Sequence, residues 1–477
     1  MRTLREMGRE SIAIYSDVDV LMPFARYADR AFPLGGKEAR ETYLDSEKII
    51  AIARRAGADA VHPGYGFLSE NSEFAAAVER AGLLFIGPGH EAIRSMGDKT
   101  EARKMVAARG VPTVPGTMEP VESLEAASKV AAGIGYPILV KAAAGGGGKG
   151  MRLVKTRQDL ESSLRSAKSE AQSAFGDSRV FIEKFVVNPR HIEFQILADS
   201  HGNVIHLFER ECSIQRRHQK VVEETPSLAI TQDLREEMGK AAVDAAKSCG
   251  YSNAGTVEFV LAEDGKFYFL EMNTRLQVEH PITELTTGID LVREQIMIAE
   301  GDKLHYSQDE IRKSGHAIEC RIYAEDVYSG FVPDTGALKM IRPPEGNWVR
   351  VDSGVETGSE ISVYYDPMIA KLSTWDATRD EAISKMKRAL DEYVVLGVKT
   401  TIPFCRFVMD HGSFSSGKYS TAFVEDFWTS DKRNDSVEGR KGSELAAIVA
   451  TSGKDSSGAG SSEVVRRSSW TDQRFED

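Results

Sequence analysis

The stretch FYFLEMNTRLQVEH, residues 267–280, constrains this chain more than any other. Phe267, Tyr268, Phe269 and Leu270 form a short apolar run of the kind that builds a buried strand. Glu271, Asn273, Arg275, Gln277 and Glu279 follow two residues apart, so an extended chain projects them to one face. Such a one-sided polar row beside a buried strand is costly unless it meets a ligand. Upstream, Thr256–Leu261 reads as a second strand carrying Glu258, and Asp264-Gly265 between the runs is a hairpin turn signal. Folding that hairpin brings Glu258 to Glu271 and Asn273. Two carboxylates and an amide oxygen suit a hard, oxygen-liganded cation such as Mg²⁺. A salt-bridged surface hairpin is the plainer alternative.

The 477 residues suggest about three domains. A net charge of −12 argues against nucleic acid or an anionic membrane as the main partner. No apolar run reaches the length of a membrane-spanning helix, and the first residues lack the apolar core of a signal peptide. Cys212, Cys249, Cys320 and Cys405 show no CxxC spacing, and no histidine pair has zinc-site spacing. The expectation is a reduced, cytoplasmic protein without zinc.

Along the chain, residues 1–90 alternate strand and helix signals. Strands are expected at Ser11–Tyr15, Ala58–His62 and Leu83–Ile86, and helices at Ser46–Ala56 and Asn71–Ala81. This is a doubly wound α/β pattern. The chain opens on an amphipathic helix fragment, Thr3–Met7, ahead of its first strand. The loop HPGYGFLSEN (62–71) joins a strand to a helix, and a merely shaped connection accounts for it equally well. Lys99 stands near a helix start, where a lysine can meet a phosphate or simply stay exposed.

The run YPILVKAAAGGGGKGMRLV (136–154) places Lys141 on a strand and Gly145, Gly146, Gly147, Gly148, Lys149 and Gly150 in a loop before the next strand. Glycines let backbone amides close over phosphate oxygens, and lysines supply charge. The pattern is not a Walker A loop, because it joins two strands and lacks Gly-Lys-Ser/Thr leading into a helix. A glycine hairpin over a nucleotide describes it better than a linker. Arg179–Val187 reads as a strand, and Glu183 to Val186 offer a hinge whose backbone meets an adenine edge. His191–Ala198 alternates, with Ile192, Phe194 and Ile196 opposite His191, Glu193 and Gln195. The polar run 209–220, between strands that share a sheet with the hairpin, reads better as an anion site than as a solvated loop. Helices are expected at Ile230–Cys249 and Asp290–Ile298, and a strand at Ser314–Ala324 aims Glu319 and Arg321 at one face. Residues 431–477, with nine serines and five glycines, read as a disordered tail.

Six motifs together resemble the biotin carboxylase family: HPGYGFLSEN (62–71), MGDK (96–99), KAAAGGGGKGM (141–151), ERECSIQRRHQKVVEE (209–224), EMNTRLQVEHPITE (271–284) and HAIECRIYAED (316–326). The resemblance covers residues 1–428 and implies an α/β ATP-grasp fold. It implies a Rossmann-like pre-ATP-grasp domain lacking its first strand (1–92) and an ATP-grasp domain (93–303, lid about 113–186). An α+β C-terminal domain (314–428) would follow. ATP would be held by Lys99, Lys141, Gly145–Gly150 with Lys149, Glu183, Lys184, Val186, His191, Gln215 and His218. Glu258, Glu271 and Asn273 would hold Mg²⁺ or Mn²⁺. Lys220, Arg275, Gln277 and the Val278 amide would bind bicarbonate, Glu279 would be the general base, and Arg321 would stabilise the biotin enolate.

The implied activity is ATP- and bicarbonate-dependent carboxylation of biotin, the first half-reaction of acetyl-CoA carboxylase in fatty-acid synthesis. A propionyl-CoA, methylcrotonyl-CoA or pyruvate carboxylase subunit is the alternative. Members of the family open with a strand and turn reading like ANRGEIA, and this chain begins inside the helix that follows. No biotinyl Ala-Met-Lys-Met occurs, and the lone Met386-Lys387 lies in a helical stretch. The resemblance therefore implies biotin on a separate carboxyl carrier protein, separate carboxyltransferase subunits and a homodimer. Two rivals stay open: a carbamoyl-phosphate synthetase module, which shares carboxyphosphate chemistry, and a non-catalytic assembly subunit.

Overall fold

The computed structural model describes residues 1–117, 119–142, 151–175 and 177–429. The glycine loop Gly145–Gly150 with Lys149, and the Ser-rich tail, lie outside the described residues.

The N-terminal region holds two parallel pairs, β1 (Ile12–Tyr15) with β2 (Arg30–Pro33) and β3 (Ala60–Val61) with β4 (Leu84–Phe85). Helices α1 (Ser46–Ala56) and α2 (Ser72–Arg80) start where the sequence supplies caps. The Asp45 and Asn71 side chains accept from the amides of Lys48 and Phe74. Ile49, Ile52, Phe74 and Val78 on these helices bury against Phe85 and Ile93. Helix α3 (His90–Gly97) leads to α4 (Lys99–Ala108), whose first residue is Lys99 and whose cap is Asp98. A three-stranded antiparallel sheet follows, with β5 (Ile138–Ala142) between β6 (Met151–Val154) and β7 (Val180–Lys184).

The site is carried by one eight-stranded sheet. Its strands are β8 (Arg190–Ala198), β9 (Val204–Arg216), β10 (Gln219–Thr225), β11 (Asn253–Leu261), β12 (Phe267–Asn273), β13 (His316–Tyr323), β14 (Val349–Ser353) and β15 (Met368–Asp376). They run in the order β12-β11-β8-β9-β10-β13-β15-β14, every neighbouring pair antiparallel. Period-two alternation gives the sheet two characters. Ile192, Phe194 and Ile196 of β8, with Val257 and Phe259 of β11, pack on Met238, Ala242 and Ala245 of α5 (Gln232–Ser248). The alternate positions, Glu193, Gln195, Thr256 and Glu258, are also buried but turn to a polar network. At its heart Arg210 is fully buried, donating to Glu193 (2.6 Å), Gln195 (2.8 Å), Thr283 (2.9 Å) and Thr256 (3.2 Å). Four acceptors make burial of that guanidinium tolerable.

The hairpin signalled by Asp264-Gly265 forms, with Gly265 at φ +84° and Glu258 directly opposite Glu271. The register then slips, so Phe259 faces Phe269 and Leu270 is a bulge residue turned to solvent. Leu270 therefore does not belong to the buried run expected of it. The polar row also stops being extended. Strand β12 ends at Asn273, and Glu279 instead opens helix α6 (His280–Thr287). The contact at this point is long-range: the Thr274 amide donates to Glu70 Oε1 (3.0 Å) where the chain leaves the strand. The solvated-loop reading of 209–220 also fails. That run is β9, a turn at Arg217 and His218 with φ +48° and +66°, and the start of β10, and its Glu209, Arg210 and Glu211 are buried. Among the described residues no helix is long and apolar enough to cross a membrane.

Candidate active site

Lys220, entering on β10, is the hub of the polar face. Its Nζ donates to Glu258 Oε1 (2.8 Å), Glu279 Oε1 (2.7 Å) and Glu193 Oε2. Burial would lower the Lys220 pKa, but the three carboxylates override it and hold it well above the ordinary lysine value. Arg321, on β13 next to β10 in the sheet, donates from Nε to Glu223 (2.6 Å) and from Nη2 to Glu279 Oε2 (2.9 Å). Burial would raise the Glu279 carboxyl. Lys220, Arg321 and Arg210 reverse that and hold it well below the usual range, so Glu279 is a buried carboxylate at neutral pH. Although it sits at the N-terminus of α6, its side chain makes no cap. The carboxylate is spent on the two cations instead.

The hairpin end supplies the second group. Burial and the facing Glu258 raise the Glu271 carboxyl, an unfavourable crowding of acids that a divalent cation would relieve. Asn273 Nδ2 donates to Glu258 Oε1 (2.8 Å), which leaves its amide oxygen to Arg275 Nη2 (3.2 Å). The crowded pair Glu258 and Glu271 thus fits a hard cation, while the Asn273 oxygen is engaged by Arg275. His191 and Glu193 lie within ligand reach of Glu258 as well. Burial alone would lower the His191 pKa, but Glu258, at 3.0 Å from Nε2, holds it above the ordinary value. A protonated imidazole binds an anion better than a metal.

The remaining expected residues lie on several elements. Gln277 Nε2 reaches Glu258 Oε1 at 3.4 Å, and Lys371 Nζ donates to the Val278 carbonyl (2.7 Å), fixing the peptide between Val278 and Glu279. Lys99 Nζ is exposed and 3.5 Å from Glu271. Lys141 and Arg103 both pair with Glu183, so the Glu183 carboxylate is held by cations from two elements. Lys184 Nζ is tied to the carbonyls of Gly135 (3.0 Å) and Tyr136 (3.2 Å), which leaves only its backbone for a ligand. Val186 is half-buried just after β7. Gln215 lies 3.5 Å from His191, and His218 is exposed at the β9–β10 turn.

Three family models match in order: "Biotin carboxylase, N-terminal domain" at residues 1–93, "Carbamoyl-phosphate synthase L chain, ATP binding domain" at 98–307, and "Biotin carboxylase C-terminal domain" at 319–426. Biotin carboxylase 1 of Bacillus subtilis is 48% identical over 428 residues, covering 90% of this chain and 95% of that one. The chain belongs to the biotin carboxylase family. Biotin carboxylase is an ATP-dependent ligase, and the matching domains on both flanks separate this chain from a carbamoyl-phosphate synthetase module. A pyruvate carboxylase subunit from Methanothermobacter thermautotrophicus is 52% identical, covering 90% of this chain and 87% of that one. The chain spans only 61% of the methylcrotonoyl-CoA carboxylase alpha chain of Dictyostelium discoideum and 65% of the propionyl-CoA carboxylase alpha chain of Ruegeria pomeroyi. Among solved structures, a biotin carboxylase complex with β,γ-ATP from Campylobacter jejuni matches with TM-score 0.84 and 46% identity over 89% of this chain and 95% of that one.

Several residues of this biotin carboxylase site escaped the sequence reading. Glu193 stands on the polar side of β8, and Arg210 and Glu223 lie within the 209–224 motif without an assigned role, whereas Lys371 carries no local signal; each meets its partner on another element. Glu70, in the HPGYGFLSEN loop, accepts from Arg275 Nε (2.8 Å) as well as from Thr274. The loop is thus a positioning device for Arg275. In Glu70→Ala, the KM for bicarbonate should rise by up to about tenfold with kcat less affected, the scale of one charge-assisted hydrogen bond. Steady-state ADP release against bicarbonate concentration checks this, and an unchanged KM would remove Glu70 from the site.

Proposed function

We propose that this chain carboxylates biotin presented on a separate carrier protein, using ATP and bicarbonate, as the first half-reaction of acetyl-CoA carboxylase. The observation that carries the chemistry is Glu279, a buried, ionised carboxylate bonded to both Lys220 and Arg321. A solved 2-oxoglutarate carboxylase biotin carboxylase domain from Hydrogenobacter thermophilus, 46% identical over 89% of this chain, is described as a dimer with MgADP and bicarbonate. That supports the same substrates and a homodimer here.

Bicarbonate is received by Lys220, Arg275, Gln277 and the Val278 amide, with Glu279 in reach of its proton. Glu279 removes that proton, and the bicarbonate oxygen attacks the γ-phosphoryl of ATP to give carboxyphosphate and ADP. Lys99, Lys141 and His191 offset phosphate charge. Glu258, Glu271 and Asn273 would hold a divalent cation, which would supply positive charge to offset that of the phosphates. Carboxyphosphate releases CO₂ and phosphate, and the phosphate takes the N1′ proton of biotin. Arg321 stabilises the enolate, which takes up CO₂.

The test is carboxyl transfer from ¹⁴C-bicarbonate to purified carrier proteins, followed by transfer to acetyl-CoA, propionyl-CoA, methylcrotonyl-CoA or pyruvate with the matching carboxyltransferase. Labelled malonyl-CoA is expected. Product only with pyruvate would move the chain to the reading favoured by its 52% identity to the Methanothermobacter pyruvate carboxylase chain. MgATP binding without turnover under any condition would leave the assembly role.

A further inference from the structure

Glu223 on β10 and Glu319 on β13 are direct cross-strand partners, and both are fully buried. Opposed residues in an antiparallel pair stand about 5 Å apart at Cβ, and like charges there repel. Each carboxylate uses only one oxygen. Glu223 Oε1 accepts from Arg321 Nε (2.6 Å), and Glu319 Oε2 accepts from Ser373 Oγ (2.7 Å). Glu223 Oε2 and Glu319 Oε1 have no hydrogen-bond partner among the described residues. Two buried acids facing each other, each with an idle oxygen, lack one thing that would satisfy both, which is a hydrogen between them.

We propose that Glu223 and Glu319 share one proton in the folded enzyme, and that this proton sets how much positive charge Arg321 presents to the substrate. Charged groups reach the pair from four elements. Arg321 and Lys371 face it from β13 and β15, Glu279 from the start of α6, and Lys220 from β10. Tyr65, Tyr323, Cys212 and Cys320 also face the pair, and burial raises each of them, so they stay neutral. Burial, partly offset by Arg321 and reinforced by Glu279 and Glu319, pushes the Glu223 carboxyl up to about 8. Burial, partly offset by Lys371, Ser373 and Arg321, pushes Glu319 up to about 7. The proton is therefore present at neutral pH and lost as pH rises past that range. Its loss leaves both members of the pair charged, which with Glu279 puts a third negative charge around Arg321, and weakens what the guanidinium offers a developing enolate. Glu223 and Glu319 are positioning residues, acting through Arg321. The role of Arg321 rests on the functional reading above, whereas the shared proton does not.

The test has two arms. Difference infrared spectra of the ¹³C-glutamate-labelled full chain should show the carbonyl stretch of a neutral carboxylic acid at neutral pH. The band should fade on alkaline titration and be absent from Glu319→Gln and Glu223→Gln. In Glu319→Gln the amide N–H donates to Glu223 in place of the proton. Biotin-dependent ADP release should then persist, with its alkaline limb moved up by roughly one pH unit or more. Absence of the band from the wild-type protein, its survival in both variants, or an alkaline limb unmoved in Glu319→Gln overturns the proposal. The infrared arm needs no turnover, so a chain inactive with biotin defeats the functional reading while the band still decides the proton.

Discussion

Replacing Glu279 by glutamine should lower biotin-dependent ADP release by about 10²- to 10⁴-fold, the usual range for loss of a general base. The side chains around it predict that the loss is chemical. Glutamine has nearly the same shape, and Glu279 makes no helix cap that the change would break. Lys220 keeps Glu193 and Glu258, and Arg321 keeps Glu223, so neither cation is left unpaired. The fold should therefore survive, with unchanged circular dichroism and a midpoint of thermal unfolding near that of the wild type. What disappears is the one carboxylate held ionised between Lys220 and Arg321. The acidic limb of kcat/KM assigned to that group should vanish with it. Because Lys220 and Arg321 hold Glu279 well below the ordinary carboxylate range, the wild-type enzyme should keep its base ionised to unusually low pH. A Glu279→Gln enzyme within tenfold of wild type would leave the base elsewhere.

How far this site can be read from sequence depends on whether a signal is local. Asn71, Thr231 and Asp290 announce helices because a capping side chain accepts from an amide three residues on. The β11–β12 hairpin is legible because its turn is a dipeptide and Glu258 meets Glu271 across it. The row from Arg275 to Glu279 misleads because its geometry is set by Glu70, some two hundred residues earlier. The 209–220 run misleads differently. Its charges look solvated because their partners arrive on other elements: Glu193 on β8 for Arg210, Arg235 on α5 for Glu209, and Arg190 on β8 for Glu211. Glu223 and Lys371 are ordinary strand residues until β13 is placed between β10 and β15. A strand order joining residues 190–273 to 316–376 is not written in any window of sequence.

The same hub makes the second large effect one of stability. Lys220→Met should destabilise the protein by about 3 kcal/mol at neutral pH, the low end of the cost of breaking a buried ion pair from one side. The low end is expected because each abandoned carboxylate keeps a partner: Glu193 has Arg210, Glu258 has His191 and Glu279 has Arg321. The pH dependence follows from Glu279, whose folded pKa lies below its unfolded value near 4.3. It contributes stability above that unfolded value, and the contribution is lost as pH falls through the folded pKa. Without Lys220 the folded pKa of Glu279 rises and that contribution shrinks. The gap between wild type and Lys220→Met should thus be widest at neutral pH, begin to narrow only below about pH 4, and close as pH falls through the folded pKa of Glu279. Urea unfolding across this range measures it. Lys220→Arg separates charge from shape, since a guanidinium restores the pairing but reaches three acceptors with a planar fork. Its stability should return most of the way while the KM for bicarbonate stays high. A pH-independent gap would mean that Lys220 supports the fold by packing alone.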